Sequence, residues 1–159
     1  MSDLFWLRFH GDGWFDEKKL RVLGDVVKTL KISEKKYYFS ERAVQGAKNA
    51  KTNMKRLVHQ DLNYPCLTIT SHLAKVSINS RDPVLLVDKK KELYRRFTPR
   101  EASSIQSFPE DFNFEGSEGD AYRQIGNAVP PVLMWYLMKS VVEQLFPKIN
   151  SEHQKVHLS

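Results

Sequence analysis

The chain has 159 residues, a hydrophobic content of 41%, a charged content of 28% and a formal net charge of +6. This composition excludes a disordered chain, and the single cysteine, Cys66, excludes both a disulfide framework and a zinc site built from cysteines. No apolar run is long enough to cross a bilayer and no signal-peptide pattern opens the chain, so we expect a cytoplasmic protein that does not contact the membrane.

The basic residues concentrate in one part of the chain. Residues 31–60 carry eight Lys or Arg side chains against two Glu. Clustered cations favour a polyanionic partner, because binding releases counterions from phosphates, so we expect nucleic acid. A solvated helix face is the alternative explanation of the same charges.

Two helices and three short strand-like runs are predicted up to residue 92. Apolar residues at helical spacing indicate the helices, and short apolar runs between turn residues indicate the strands. Ser40 is a predicted N-cap, because its hydroxyl can accept a backbone N–H of the helix that follows. In chain order, the pattern predicts a helix over 18–30, a strand-like run over 37–39, a helix over 41–58, strands over 66–70 and 84–87, and a charged turn over 88–92.

A capping box begins the next helix. Thr98 can cap it, Pro99 fits its first position, and Glu101 stands where the reciprocal carboxylate belongs. The helix must end before Pro109, because the residue ahead of a proline disfavours the α conformation. An acidic loop rich in Gly and Ser is predicted over 110–120.

The last predicted helix, over 130–145, is apolar on all sides between Val132 and Met138. Such a segment is normally buried all round, so it either docks on a second protein surface or forms the centre of this chain's own core. Gly126 and Asn127 come just before this helix. We expect free backbone N–H groups there, at a helix start, to hold a carboxylate or phosphate.

Two long motifs stand in the C-terminal half of the chain. The first is formed by Arg95, Phe97, Thr98, Pro99, Arg100, Glu101, Ile105, Gln106, Phe108 and Pro109. The second is formed by Tyr122, Gln124, Ile125, Gly126, Asn127, Ala128, Val129 and Pro130. In this order they resemble the last two conserved motifs of the DNA cytosine-5 methyltransferases. The preceding region is more loosely similar to the target-recognition region of that family, so the resemblance covers about residues 20–146.

The resemblance implies methyl transfer from S-adenosylmethionine to cytosine in double-stranded DNA, with the target base turned out of the duplex. In that family a cysteine thiolate attacks the ring and a glutamate contacts it, in motifs that precede the recognition region. This sequence contains no Phe-x-Gly-x-Gly, Pro-Cys-Gln, Glu-Asn-Val or Gln-x-Arg-x-Arg segment. Leu67 follows Pro65-Cys66 where the family has Gln, so Cys66 is expected to be a half-buried strand residue. No catalytic residue and no metal ligand is therefore assigned.

The fold class that the resemblance implies is α+β. It comprises a small mixed recognition domain of short strands and helices, and a C-terminal helix that docks on a Rossmann-like α/β catalytic domain absent from this chain. The expected parts are an unassigned segment over 1–17, the target-recognition region over 18–94, the penultimate-motif helix and loop over 95–120, the cofactor-side motif and docking helix over 121–146, and a tail over 147–159.

The resemblance also implies roles for individual residues. Asn127 and Ala128 would face the amino-acid end of S-adenosylmethionine, a cofactor shared with the missing catalytic domain. Arg100 and Glu101 would brace the recognition region. The structural residues of the two motifs are Arg95, Thr98, Pro99, Arg100, Glu101, Gln124 and Gly126. The candidates for DNA contact are Thr68, Thr70, Lys48, Lys51, Lys55, Lys75 and Arg81.

Three functions fit these observations. The first is the C-terminal subunit of a two-piece DNA cytosine-5 methyltransferase, acting with a larger polypeptide that carries the catalytic domain, in a bacterial restriction-modification system. The second is an inactive remnant of a truncated methyltransferase. The third is a free-standing basic DNA-binding module, which leaves the motif at 124–130 unexplained.

Overall fold

The computed structural model of the chain describes residues 22–50, 59–75, 78 and 82–145. Over these residues the fold mixes helices with a two-stranded antiparallel sheet, which confirms the α+β class. The helices are α1 (Leu23–Val26), α2 (Glu41–Lys48), α3 (Pro99–Ile105), α4 (Glu118–Asn127) and α5 (Pro131–Leu145), and the strands are β1 (Leu85–Asp88) and β2 (Leu93–Arg95). Short 3₁₀ turns lie at Lys35–Tyr37 and Ser71–Ala74. None of the helices in this described part is long and apolar enough to cross a membrane.

The two strands form a hairpin around the predicted charged turn. Leu85 pairs with Arg95, and the register shifts by a bulge before Asp88. The Asp88 carboxylate accepts the backbone N–H groups of Lys90 and Lys91 at 2.9 and 3.1 Å, which closes the turn. Glu92 completes it in the left-handed region, at φ 49°. The turn is therefore fixed by a side chain that substitutes for a backbone acceptor.

The strand predicted over 66–70 is wrong, because that segment forms no ladder. The edge beside Val84 is taken by a parallel bridge from His59. The side-chain amide of Gln60 satisfies the backbone in place of a strand, donating to the Pro65 carbonyl at 3.3 Å and accepting from the Leu67 N–H at 3.0 Å. Similarly, only Tyr38 of the run over 37–39 makes a bridge, to Arg95.

The two helices predicted nearest the start of the described residues are shorter than expected. Of residues 22–30 only α1 is helical. Beyond it, the carbonyls of Thr29 and Leu30 accept from the Arg95 side chain. The helix that begins after Ser40 is present as α2, with the Ser40 hydroxyl accepting from the Ala43 N–H, and Asn49 ends it. Residues 51–58 of the predicted helix lie outside the described residues.

Two apolar clusters form the core of the described part. The larger joins the recognition region to α3 and α4 through Leu23, Val27, Ile69, Leu73, Leu85, Phe97, Ala102, Tyr122 and Ile125. The smaller lies between α2 and the hairpin and contains Val44, Ala47, Ile78, Val84 and Tyr94. Since the larger cluster draws on both motifs and on the recognition region, the three parts form one packed unit.

The capping box predicted for α3 is present and is linked to a buried arginine. The Thr98 hydroxyl accepts from the Glu101 N–H, and the Glu101 carboxylate accepts from the Thr98 N–H. Both Glu101 oxygens also accept from the Arg95 guanidinium, each at 2.8 Å. The Arg95 side chain is fully buried, and it donates further to the carbonyls of Thr29, Leu30 and Arg96. Every nitrogen of the guanidinium therefore donates a hydrogen bond, which allows the buried charge to be tolerated.

Helix α5 has the predicted extent but contains no buried residue. The idea that it forms the centre of this chain's own core is therefore wrong for the described structure. Large apolar side chains lie exposed along one side of the helix, at Leu133, Met134, Leu137, Met138, Val141, Val142 and Leu145. Their spacing of three and four residues makes a continuous stripe, which is the pattern of a helix that packs on another surface.

The Arg95–Glu101 pair provides a test of this fold. We expect Glu101→Gln to lower the free energy of unfolding by about 3–5 kcal/mol, because it leaves a buried guanidinium without a counter-charge. Urea unfolding followed by circular dichroism measures this loss. The exposed Glu115→Gln is the matched control and should change stability by less than about 0.5 kcal/mol. Equal effects of the two substitutions would contradict a structural role for the pair.

Candidate nucleic-acid interface and cofactor-side helix

Helix α4 carries the second motif, and it was not predicted as a helix. The sequence interpretation placed an acidic loop over 110–120, but α4 begins at Glu118. Ser117 and Asp120 form a capping box that starts it: the Ser117 hydroxyl accepts from the Asp120 N–H at 3.2 Å, and the Asp120 carboxylate accepts from the Ser117 N–H at 2.9 Å. A Ser followed three residues later by an acid is a helix-start signal, so the sequence contained the information.

Gly126 lies where α4 touches the backbone of the recognition region. A Cβ atom at this position would stand 2.2 Å from both the Ser71 nitrogen and the Thr70 carbonyl carbon. The motif glycine is therefore required by close packing of a helix on a backbone segment and not by a turn conformation. This contact brings the cofactor-side motif against the end of the segment that contains the DNA-contact candidates Thr68 and Thr70.

The expected position of Asn127 and Ala128 at a helix start is wrong. Asn127 is the last residue of α4, and the Ala128 N–H is already bonded to the Ile125 carbonyl at 3.3 Å. Helix α5 begins only at Pro131. The exposed Asn127 thus lies at a helix C-terminus, where the partial charge of the helix dipole is negative and favours a cation.

Three hydrogen bonds fix α4 on the first motif and its own loop. The buried Tyr122 hydroxyl donates to the Phe97 carbonyl at 2.6 Å. Gln106, at the end of α3, donates its side-chain amide to the Ile125 carbonyl at 3.3 Å. Gln124 is exposed and donates to the Glu115 carbonyl at 2.7 Å. Gln124 therefore joins the acidic loop to the helix.

Glu118, the first residue of α4, accepts from three side chains: two from the recognition region and one from the residue that follows β2. The Tyr37 hydroxyl and the Arg96 guanidinium each donate to it at 2.9 Å, and Lys36 forms an ion pair with it. The Arg96 guanidinium also lies 5.3 and 5.0 Å from the ring centres of Tyr37 and Tyr122. Burial opposes ionisation of Glu118, but these donors and cations lower its pKa below the usual range. These contacts around Glu118 fix the N-terminal end of α4, and the packing of Gly126 fixes its C-terminal end.

Of the two threonine candidates for DNA contact, only Thr68 has a hydroxyl that makes no hydrogen bond to another described residue. The Thr70 hydroxyl donates to the Asp82 carboxylate at 2.8 Å and accepts from the His72 N–H at 3.2 Å. Its only hydrogen is therefore committed within the fold, so it cannot donate to a phosphate. Thr68 is exposed and remains a candidate.

The structure also changes the set of candidate phosphate-binding cations. Lys48 forms an ion pair with Glu92, and hydrogen bonding to Lys48 lowers the pKa of that carboxyl. Its charge is therefore largely compensated, whereas Lys75 is exposed. Lys51, Lys55 and Arg81 lie outside the described residues.

The exposed ammonium groups of Lys89, Lys90 and Lys91, at the hairpin tip, make no ion pair within the described part. The sequence interpretation recorded them only as a charged turn.

Cys66 points toward the larger apolar cluster and is not suited to act as a nucleophile. It is partly buried, and desolvation raises the pKa of its thiol to about 12. Within the described residues no group of His, Cys, Asp and Glu side chains is arranged to hold a metal ion.

Comparison with known proteins identifies related sequences and a related fold. The family profile described as C-5 cytosine-specific DNA methylase matches residues 14–143. Type II methyltransferase M.AplI of Arthrospira platensis is 42% identical over 80 residues, which are 50% of this chain and 22% of that protein. Type II methyltransferase M.Sau96I of Staphylococcus aureus is 41% identical over 81 residues, which are 51% of this chain and 17% of that protein. The matches thus span about a fifth of the length of these relatives.

One solved structure has a similar fold. The S. pombe Dnmt2 methyltransferase superposes with a TM-score of 0.60 over 91% of this chain and 46% of that chain, at 17% sequence identity. At that identity the likeness concerns the fold alone.

Substitution of Gly126 tests the close packing of α4. We expect Gly126→Ala to destabilise the chain by about 1–3 kcal/mol, because the added methyl group displaces the backbone at Thr70 and Ser71. Gly46→Ala is the matched control: Gly46 lies in α2 with nothing within 4 Å of its Cβ position. That change should stabilise by about 0.5–1 kcal/mol. Thermal melting of the two variants gives the comparison, and a stabilised Gly126→Ala would refute the packing argument.

The reactivity of Cys66 provides a second test. With a pKa of about 12, roughly one thiol in ten thousand is ionised at pH 8, against about a quarter in an unfolded chain. We expect iodoacetamide to alkylate Cys66 at least about 100-fold faster in urea than in the folded chain, with the folded rate rising as the pH approaches 12. Mass spectrometry measures both rates. Rapid alkylation of the folded chain at pH 8 would indicate an activated thiol.

Proposed function

Because the chain belongs to the C-5 cytosine-specific DNA methylase family, we propose that it provides target recognition and one wall of the S-adenosylmethionine pocket in a DNA cytosine-5 methyltransferase. The observation that carries this proposal is the position of α4. Its Gly126 packs on the backbone at Thr70, next to the segment with DNA-contact candidates, and its last residue is the exposed Asn127. One short helix therefore joins the expected DNA side to the expected cofactor side.

The end of α4 fits the amino-acid end of S-adenosylmethionine. Asn127 is exposed, and its side-chain amide can donate to a carboxylate and accept from an ammonium group. The negative end of the α4 dipole favours the same ammonium group. The Ala128 N–H is used within the helix end, so Ala128 would contribute shape and not a donor. S-adenosylmethionine supplies the methyl group when bound, while Asn127 holds and orients its amino-acid end.

The DNA side of the proposal depends on charge and on the exposed hydroxyl of Thr68. The chain carries a net charge of +6. Thr68 can donate to a phosphate oxygen, while Lys75 and the hairpin-tip lysines can neutralise phosphates along the backbone. These contacts position the duplex without reading its sequence.

The nucleophile and the ring-binding glutamate would come from a catalytic domain in a larger polypeptide, since their motifs are absent from these 159 residues. The exposed stripe of α5 would dock on that domain. The stripe runs the length of a 15-residue helix, or about 22 Å, and consists of Leu, Met and Val side chains. An apolar surface of that length suits a permanent interface better than a transient one. In that arrangement Asn127 stands only four residues ahead of the docking helix, so docking would bring it to the catalytic domain.

Reconstitution tests the proposal. We expect negligible transfer of a labelled methyl group to DNA by this chain alone, because it lacks the nucleophile motif. Co-expression with a larger polypeptide that carries the missing motifs should restore transfer and allow the two to copurify. Robust transfer by the chain alone would contradict the proposal, and copurification without any transfer would support an inactive remnant.

A matched pair of lysine substitutions tests the docking surface in the same assay. Val141 lies in the centre of the exposed stripe, and Glu143 lies on the opposite side of α5. We expect Val141→Lys to abolish copurification and methyl transfer, since it places a charge in an apolar interface, while Glu143→Lys leaves both nearly unchanged. Equal behaviour of the two variants would exclude this stripe as the contact surface.

A further inference from the structure

Residues 60–68, here called the 60–68 loop, are fixed from the inside by hydrogen bonds. The Leu23 and Gly24 N–H groups at the start of α1 donate to the Tyr64 and Leu62 carbonyls at 2.9 and 2.8 Å. The Gln60 amide joins the Pro65 carbonyl to the Leu67 N–H, as described above. The Asp61 carboxylate accepts from the Asn63 N–H at 2.9 Å, forming a side-chain turn. A loop of this length with so many internal bonds has little conformational freedom left to lose on binding.

The same loop presents two large apolar side chains to solvent. Tyr64 is 64% exposed and Leu67 is 49% exposed, although Leu62 and Cys66 beside them pack against the core. The Tyr64 hydroxyl has no hydrogen-bond partner in the described part of the chain. Thr68 follows immediately, is exposed, and likewise makes no side-chain hydrogen bond to another described residue. The backbone of Tyr64 and Leu67 is therefore held within the fold, while their side chains face solvent.

The size and chemistry of this projection favour a DNA groove as its partner. Two side chains are too few for a stable protein interface, which buries about 800 Å² on each partner. An aliphatic side chain can contact the methyl group of thymine in the major groove, and a phenol hydroxyl can donate to or accept from a base edge. The exposed cations described above, on a chain of net charge +6, suit the flanking phosphates.

We propose that Tyr64 and Leu67 contact base edges in the major groove and determine which DNA sequence is selected. Leu67 packs on a thymine methyl group, and Tyr64 hydrogen-bonds a neighbouring base. Thr68 and the lysines contact phosphates and set the register, which carries no sequence information. This inference rests on the proposed function, and it assigns the reading of sequence to a pair of residues outside the two family motifs.

The test uses the complex of this chain with the larger polypeptide and a library of duplex DNA that is randomised around a cytosine. Bisulfite sequencing reports which flanking bases permit methylation. We expect Tyr64→Ala and Leu67→Ala each to lower discrimination at one or two base pairs by about tenfold or more, while sequences preferred by the parent remain methylated. Leu67→Ala should specifically reduce the preference for thymine. Lys90→Ala, at the hairpin tip, is the control and should leave the sequence preference unchanged.

Other outcomes would overturn the inference. Equal loss of methylation on every sequence would indicate a backbone or folding role, and loss of copurification would indicate a protein interface. Unchanged preference in both alanine variants would exclude base contact. If the parent complex methylates nothing, the proposed function fails, but selection of bound sequences from the library by the chain alone still tests this inference. Bound sequences that show no preference, or a preference that survives Tyr64→Ala and Leu67→Ala, would contradict it.

Discussion

The buried guanidinium of Arg95 is the interaction on which the rest of this structure depends. It binds two carbonyls that follow α1, the carbonyl of its own neighbour Arg96, and both oxygens of Glu101 in α3. A fully buried charge is tolerated only when every donor is paired, so the segments that supply the acceptors have fixed positions relative to one another. The same Glu101 caps α3. The start of the recognition region and the first motif are thus held by one side chain.

Helix α4, which carries the second motif, is held in place by contacts along its whole length. Its N-terminal end is held by the cations and the phenol around Glu118, its middle by Tyr122 and Phe97, and its C-terminal end by the packing of Gly126 on the backbone at Thr70. A helix bound at three points cannot shift without disturbing the recognition region. In the proposed function, such a helix would keep the 60–68 loop and the helix end at Asn127 in constant positions relative to each other.

Two apolar features of the described surface differ in scale. The stripe of α5 extends along a whole helix and suits a folded protein partner, whereas Tyr64 and Leu67 project from a small rigid loop and suit a groove in DNA. We therefore propose that the molecule has two partners at once. One contact would place it on a catalytic domain and the other would select the sequence presented to that domain.

Local signals in the sequence determined the capping box at Thr98, the extent of α5, the turn over 88–92 and the family, because each depends on residues close together in the chain. The capping box of α4 was equally local, but the sequence interpretation predicted a loop at that position. Only the tertiary structure decided where the two motifs meet the recognition region. The Arg95 acceptors at Thr29 and Leu30 lie some 65 residues away, and the backbone that requires Gly126 lies 55 residues earlier. Such contacts between distant segments depend on how the segments pack, and the periodicity and spacing of residues in the sequence do not predict that packing.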